Sequence, residues 1–384
     1  MTRKTELSFN LLHVLRNDAL GGLEQSTLAV ARYLAKQGVR QQVVFLSPLQ
    51  AGISEAFKAD GVPVHALPYG RRNLFSFARD YVRLVRALRP DVQLVSGAFG
   101  LHAPLAVLAR WARVPDCWTY LVTAPPLSGL SRLAQQCMAH FARPFTRGEI
   151  AISNYLAEYF TRHYRLPRSR IRTIYRWRDL NGIHARAENA RAARLDTDQL
   201  TLCAASRLDW VKDFPLLIRA FARVAAAEPA ARLQIAGDGF LRDELESLAI
   251  SLGVADRVDF LGHRNDIPAI LGSCDIFLFA TKHEEGLGGV LIEAMAAGTP
   301  VVSTDAGPCR EVLGDGAAGI LTPPGNADAF AQEVLRLWHD PQLRIDIATR
   351  AQRFAATNFS PLASGPCLFE LLFGQPPHFP DTEP

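Results

Sequence analysis

Cysteine is sparse in this sequence and unpatterned. Its six cysteines stand at positions 117, 137, 203, 274, 309 and 367, and no two form a Cys-x-x-Cys pair. That spacing argues against a zinc site or a disulfide scaffold and fits a reducing compartment. Long apolar runs are also missing. A membrane-spanning helix needs about 18 uninterrupted apolar residues, and the best stretch, residues 97–112, is broken by His102 and Arg110. The first residues, MTRKTELSFNLLHVL, carry no apolar block ahead of a cleavage site. No secretory leader is therefore expected, and a cytoplasmic location is. No Gly-x-Gly-x-x-Gly run follows the first apolar segment, which argues against an oxidoreductase of the Rossmann type.

What is present describes a globular protein. The 384 residues suit two domains of ordinary size, with 48% hydrophobic and 21% charged residues. The net charge of +4 conceals an asymmetry. Residues 1–180 carry 25 Lys and Arg against 11 Asp and Glu, and the remainder carries 17 against 27. A basic half joined to an acidic half implies different partners for each.

The most informative stretch is residues 276–304. An apolar run, residues 276–280, has the length of a buried strand. A polar, glycine-rich loop follows, containing Glu285, Gly286, Leu287, Gly288 and Gly289. An apolar helical segment over 290–297 ends at Gly298-Thr299-Pro300, and a new strand begins at Val301. Strand, glycine loop, helix and strand make a βαβ unit, whose loop lies where open α/β sheets bind ligands. The glycines admit backbone N–H groups to an anion, and the helix amino terminus adds a favourable dipole. Two carboxylates, Glu285 and Glu293, stand eight residues apart. Taken alone they read equally as a solvated side chain and a helix cap.

Glu285-Gly286-x-Gly288, followed by Glu293-Ala294-Met295-Ala296-x-Gly298-Thr299-Pro300, resembles the donor-site signature of the family-4 (group 1) glycosyltransferases. The resemblance implies a GT-B fold: α/β, with two Rossmann-like domains facing each other across a cleft. It also implies that Glu285 contacts the donor sugar and that Glu293 holds the nucleotide ribose. Other loops fit the same pattern. Gly21 and Gly22 open a GG-x-E motif after the first strand, near the donor phosphates in relatives, although a ligand-free tight loop would look alike. Arg207 and Lys212 form an R-x-x-x-x-K motif after the strand at 200–205. A charged pair there suits a diphosphate, with a surface ion pair to Asp209 or Asp213 as the alternative. Gly237, ahead of Asp238-Gly239, and the turn at Gly262-His263 match further donor contacts of the family, the turn facing the base largely through its backbone.

The expected domains are residues 1–180 on the acceptor side, a polar linker over 181–199, a nucleotide-sugar-binding domain over 200–359, and a helix and tail over 360–384 that cross back to the first domain. Asp196-Thr197-Asp198 resembles a metal-binding pair of a different fold but reads better as a turn or cap. No metal or other cofactor is expected. Two departures stand out. Relatives commonly carry a donor-contacting histidine where Leu121 stands, with His102 the nearest substitute, and Tyr175-Arg176-Trp177 replaces the usual Pro-Asn-Gly.

The implied activity is retaining transfer of a hexose-type sugar from a nucleotide-sugar donor. The expected acceptor is a lipid-linked glycan of envelope polysaccharide or lipopolysaccharide biosynthesis. The alternatives are a catalytically silent nucleotide-sugar-binding subunit and a nucleotide-sugar epimerase. A helix over 73–88 carries Arg79, Arg83 and Arg86 on one face, with Arg72 just before it. Taken alone that stripe reads as an ordinary solvated face; joined to the basic excess of residues 1–180 it suggests peripheral contact with an anionic membrane, and no nucleic-acid partner is expected.

Overall fold

Apolar strand-length runs alternate with helical segments along the whole chain, an order that builds parallel sheets. In the computed structural model, which describes residues 9–70, 74–97, 99–125, 130–194 and 199–377, they form two such sheets, one in each of two units. Arg72, Pro126 to Gly129, and Asp196-Thr197-Asp198 lie outside the described residues.

The first unit runs to Trp177 and takes in the chain from Pro361 onward. Its strands are β1 (Asn10–Leu15), β2 (Arg40–Phe45), β3 (Val64–Ala66), β4 (Val92–Ser96), β5 (Asp116–Leu121), β6 (Gly148–Ala151) and β7 (Ile171–Thr173). They pair in parallel in the order β3-β2-β1-β4-β5-β6-β7. The helices are α1 (Gly22–Lys36), α2 (Ile53–Ala59), α3 (Leu74–Leu88), α4 (His102–Trp111), α5 (Leu130–Ala142) and α6 (Asn154–Tyr164).

The second unit, Arg178–Ser360, begins with α7 (Leu180–Ala193). Its strands are β8 (Thr201–Ala205), β9 (Arg232–Ala236), β10 (Val258–Gly262), β11 (Ile276–Phe279), β12 (Val301–Thr304) and β13 (Ile320–Thr322). Their order is β10-β9-β8-β11-β12-β13, again all parallel. Its remaining helices are α8 (Phe214–Ala227), α9 (Arg242–Ser251), α10 (Ile267–Gly272), α11 (Gly289–Ala297), α12 (Cys309–Val312), α13 (Ala327–His339) and α14 (Pro341–Asn358). Leu202, Ala204, Ile235, Ile276 and Leu278 pack with Phe214, Phe221 and Phe330 into its core, each at most 1% exposed. The last helix, α15 (Pro361–Phe373), belongs to the first unit. There Phe9 stacks on Phe373 at 4.4 Å, and Gly365 lies so near Tyr33 that a Cβ would sit 2.4 Å from the ring.

The stretch 181–199, expected as a linker, departs from that reading. Most of it is α7, and the boundary between units falls after Trp177. Asp179 caps the helix by accepting from the Gly182 N–H at 3.1 Å, and only Ile183 and Ala187 are buried along it. Arginines supply much of its further attachment. Arg191 donates to the Ala297 carbonyl at 2.9 Å, and Arg194 forks onto Asp275 with both contacts at 2.9 Å. A helix fastened this way shows little apolar periodicity. Among the described residues no helix is long and apolar enough to cross a membrane.

Candidate functional site

In the second unit the chain winds outward from β8 to β10, then returns to place β11 on the other side of β8. The loops after β8 and β11 thus meet at the switch point of the sheet, where side chains and backbone amides can converge on a ligand. Backbone bonds fasten the two loops together. Lys282 N–H donates to the Val211 carbonyl at 2.9 Å, Asp213 N–H donates to that of Ala280 at 3.0 Å, and Lys212 faces Thr281 in an antiparallel bridge.

This strap brings the Lys212 ammonium onto Glu285 Oε2, with side chains 12% and 13% exposed. The ammonium also lies 4.7 Å from the centre of the Phe279 ring, a favourable cation–π placement. Glu285 Oε1 accepts from the N–H groups of Gly286, Leu287 and Gly288 at 3.0, 3.5 and 3.2 Å. Burial would raise the Glu285 carboxyl, but Lys212 and the amides of Gly286 and Gly288 outweigh it and hold the carboxyl below the ordinary glutamate value. The loop turns into α11 at Gly288, whose φ of 73° is a conformation that glycine adopts freely. Gly289 begins the helix.

Glu293, on the first turns of α11, accepts from Arg178 Nε at 2.9 Å, with side chains 15% and 10% exposed. Arg178 belongs to none of the motifs in the sequence. Its one local signal is its place directly before Asp179, a helix-capping residue type, in a stretch read as linker. Arg207 departs from its expected position. Its side chain is 81% exposed and pairs with Asp209 at 3.1 Å, so it does not converge with Lys212. The strap to Thr281 turns Lys212 inward, and no comparable bond holds Arg207 there. Gly237, with φ of 147°, donates its N–H to the Gly262 carbonyl at 2.8 Å, and a Cβ at Gly237 would lie 1.8 Å from the Ser206 carbonyl oxygen. The ends of β8, β9 and β10 therefore close on one another. His263 follows as an exposed residue.

Gly21 and Gly22 lie in the first unit, at the amino terminus of α1 and after β1, beside that sheet's own switch point between β1 and β4. Asp18 holds their loop by accepting from the N–H groups of Gln50 and Ser54, each at 2.8 Å, and from the Ser54 hydroxyl at 2.7 Å. Arg176, in the altered Pro-Asn-Gly position, is 3% exposed. It donates to the hydroxyls of Ser26, Thr27 and Ser96 at 3.0, 2.7 and 3.0 Å and lies 4.0 Å over the Tyr120 ring. Leu121 is buried at the end of β5, and His102 is buried at the start of α4. His13, on β1, faces Gln41 at 2.9 Å. Burial pushes its pKa down to about 4, with the Gln41 hydrogen bond opposing and the Arg176 charge adding to the fall.

Two parallel-sheet α/β units, each with its glycine loop at the switch point, define a GT-B fold. The crystal structure of Anabaena HepE in complex with UDP matches at a TM-score of 0.83 and 23% identity, over 96% of this chain and 100% of that one. Sucrose-phosphate synthase from Thermosynechococcus elongatus matches at 0.76 and 17%, over 94% and 98%. The model for Glycosyltransferase Family 4 matches residues 20–181, and that for Glycosyl transferases group 1 matches residues 185–354. The chain belongs to the family-4, group 1 glycosyltransferases. It is 36% identical over 186 residues to the lipopolysaccharide core biosynthesis glycosyltransferase LpsE of Rhizobium meliloti, over 48% of this chain and 53% of LpsE. It is 35% identical over 144 residues to a Campylobacter jejuni N-acetylgalactosaminyltransferase named for a diphospho-undecaprenol substrate, over 37% of this chain and 38% of that protein. The matched stretch is thus about half of LpsE and less of the second relative.

Proposed function

We propose that this chain transfers a sugar from a nucleotide-sugar donor to an acceptor hydroxyl with retention of anomeric configuration. The observation that carries the reading is the Lys212–Glu285 pair, set against the amides of Gly286 to Gly288 at the start of α11. A fixed cation and a helix amino terminus there suit a diphosphate leaving group. In the reaction the bond from the anomeric carbon to the diphosphate oxygen breaks, and its electron pair leaves with the nucleoside diphosphate. The acceptor oxygen bonds to the same carbon on the face the leaving group vacates, and its proton passes to a diphosphate oxygen. Lys212 meets the charge that grows on the leaving group, and Arg207 joins it by swinging off Asp209. Glu285 orients the sugar and Glu293 the ribose. No divalent cation takes part.

The acceptor is a lipid-linked glycan of envelope polysaccharide or lipopolysaccharide assembly. The names of the two curated relatives support this, as does the excess of Lys and Arg in residues 1–180. Arg79, Arg83 and Arg86 are exposed along α3, and Phe75 at its start is 95% exposed. Such a face suits peripheral contact with an anionic membrane on its cytoplasmic side. Leu121 favours a second reading, a silent nucleotide-sugar-binding subunit, because it leaves no histidine at that strand end.

The experiment is a panel of nucleotide sugars, followed by melting temperature and by product analysis with and without a lipid-linked acceptor. The proposal expects one donor to raise the melting temperature and to lose its sugar to acceptor or, slowly, to water. Binding without turnover favours the silent subunit. A new sugar isomer released without acceptor favours an epimerase.

A further inference from the structure

The segment that begins the second unit grips α11 at both ends. At the carboxyl end Arg191 Nη2 donates to the Ala297 carbonyl at 2.9 Å. At the amino end Arg178 Nε donates to Glu293 Oε1, also at 2.9 Å. The Arg178 guanidinium lies directly over Gly289, where a Cβ would come within 2.4 Å of Nη2. A cation at a helix amino terminus opposes the helix dipole and calls for an anion beside it. Glu293 supplies that anion, one turn into the same helix.

We propose that Arg178 is a positioning residue for the donor: it fixes the Glu293 carboxylate so that its free lone pairs accept the ribose hydroxyls. The inference rests on the nucleotide-sugar reading given above. A carboxylate offers about four lone-pair directions over its two oxygens. Arg178 donates to Oε1, and among the described residues no hydrogen bond to Oε2 is present, so holding Glu293 and binding a ribose diol are compatible. A glutamate without such a partner would sample several rotamers and lose part of its affinity to ordering. Because Arg178 holds the carboxylate that receives the ribose, its effect on binding is expected to depend on the ribose hydroxyls.

The test is calorimetric titration of the full chain with UDP, GDP and ADP, each beside its 2′,3′-dideoxy counterpart. The wild type, Arg178→Gln, Arg178→Lys and Glu293→Gln are compared. Arg178→Gln is expected to weaken the tightest-binding ribonucleotide about tenfold, the scale of one hydrogen bond to a charged group. It should leave the dideoxy counterpart nearly unchanged, and Arg178→Lys should recover part of the loss. A merely structural role would weaken both ligands alike, and that outcome overturns the proposal. So does wild-type affinity in Arg178→Gln when Glu293→Gln is impaired, with the nucleotide-sugar reading left standing. Failure of the wild type to bind any of the three diphosphates overturns that reading and the proposal with it. If Arg178→Gln does not fold, Arg178→Lys carries the same ribose-dependent comparison, with a smaller expected loss.

Discussion

Replacing Lys212 with methionine keeps most of the side chain's bulk over Phe279 but removes the charge that Glu285 faces. Breaking a buried ion pair by deleting one partner costs about 3–5 kcal/mol, because the other charge stays buried. At 13% exposure Glu285 is slightly wetter than that case, and it keeps its contacts to the Gly286, Leu287 and Gly288 amides. We therefore expect a loss of about 2–3 kcal/mol at pH 8. The pH dependence has a definite sign. In the wild type the Glu285 carboxyl is held below its ordinary value, so the pair's contribution is complete above that value and lost only as pH falls through the lower folded one. In the variant burial acts without Lys212, the carboxyl rises, and protonation relieves the unpaired charge. The cost of the substitution should thus shrink between pH 8 and pH 5.5. Urea unfolding combined with hydrogen exchange of the segment from Ile276 to Ala297 reads the second unit separately. The double variant Lys212→Met/Glu285→Gln should recover most of the loss. A cost below about 0.5 kcal/mol, the range of ordinary surface changes, or a double variant no better than the single one, would show that Lys212 does not stabilise the buried carboxylate.

Three further expectations concern other parts of the molecule. His13 is neutral when folded down to about pH 4, whereas it takes a proton near 6.5 when unfolded. Stability should therefore fall on the order of 3 kcal/mol as pH drops through that window; His13→Asn should flatten that slope in urea titrations, and an unchanged slope would exclude His13 as its source. Sugar transfer should survive EDTA, and a loss restored by added magnesium or manganese would contradict the metal-free mechanism. Co-sedimentation with anionic vesicles should be salt-sensitive and should drop when Arg79, Arg83 and Arg86 become glutamine. Equal binding to neutral and anionic lipid would rule the membrane role out.

The elements legible in the sequence are those built by apolar burial. Residues 276–304 read as strand, glycine loop, helix and strand because β11, α11 and β12 are rich in apolar residues and α11 is bounded by glycines at 288 and 298 that have positive φ. The arginine-held α7 was opaque for the opposite reason, since its contacts are made by guanidinium groups whose partners lie about 80 to 110 residues away. Arg178 was hidden in the same way, because its partner Glu293 is 115 residues distant. The spacing of Arg207 and Lys212 placed both in one loop. Which side chain turns inward depends on the bridge between Lys212 and Thr281, a long-range contact that spacing does not encode. Asp18 likewise reads as an ordinary loop residue until the amides of residues 50–54 are brought to it.

In the proposed reaction the Lys212 charge meets the donor's diphosphate as the sugar leaves. Steady-state kinetics of Lys212→Ala with the donor found in the nucleotide-sugar panel test it most directly. Removing one preorganised charge-stabilising group at a reacting centre costs about 100-fold or more in kcat. A fall of that size with little change in donor KM is expected, because the charge on the diphosphate grows toward the transition state. A near-normal kcat, or a loss confined to KM, would contradict it.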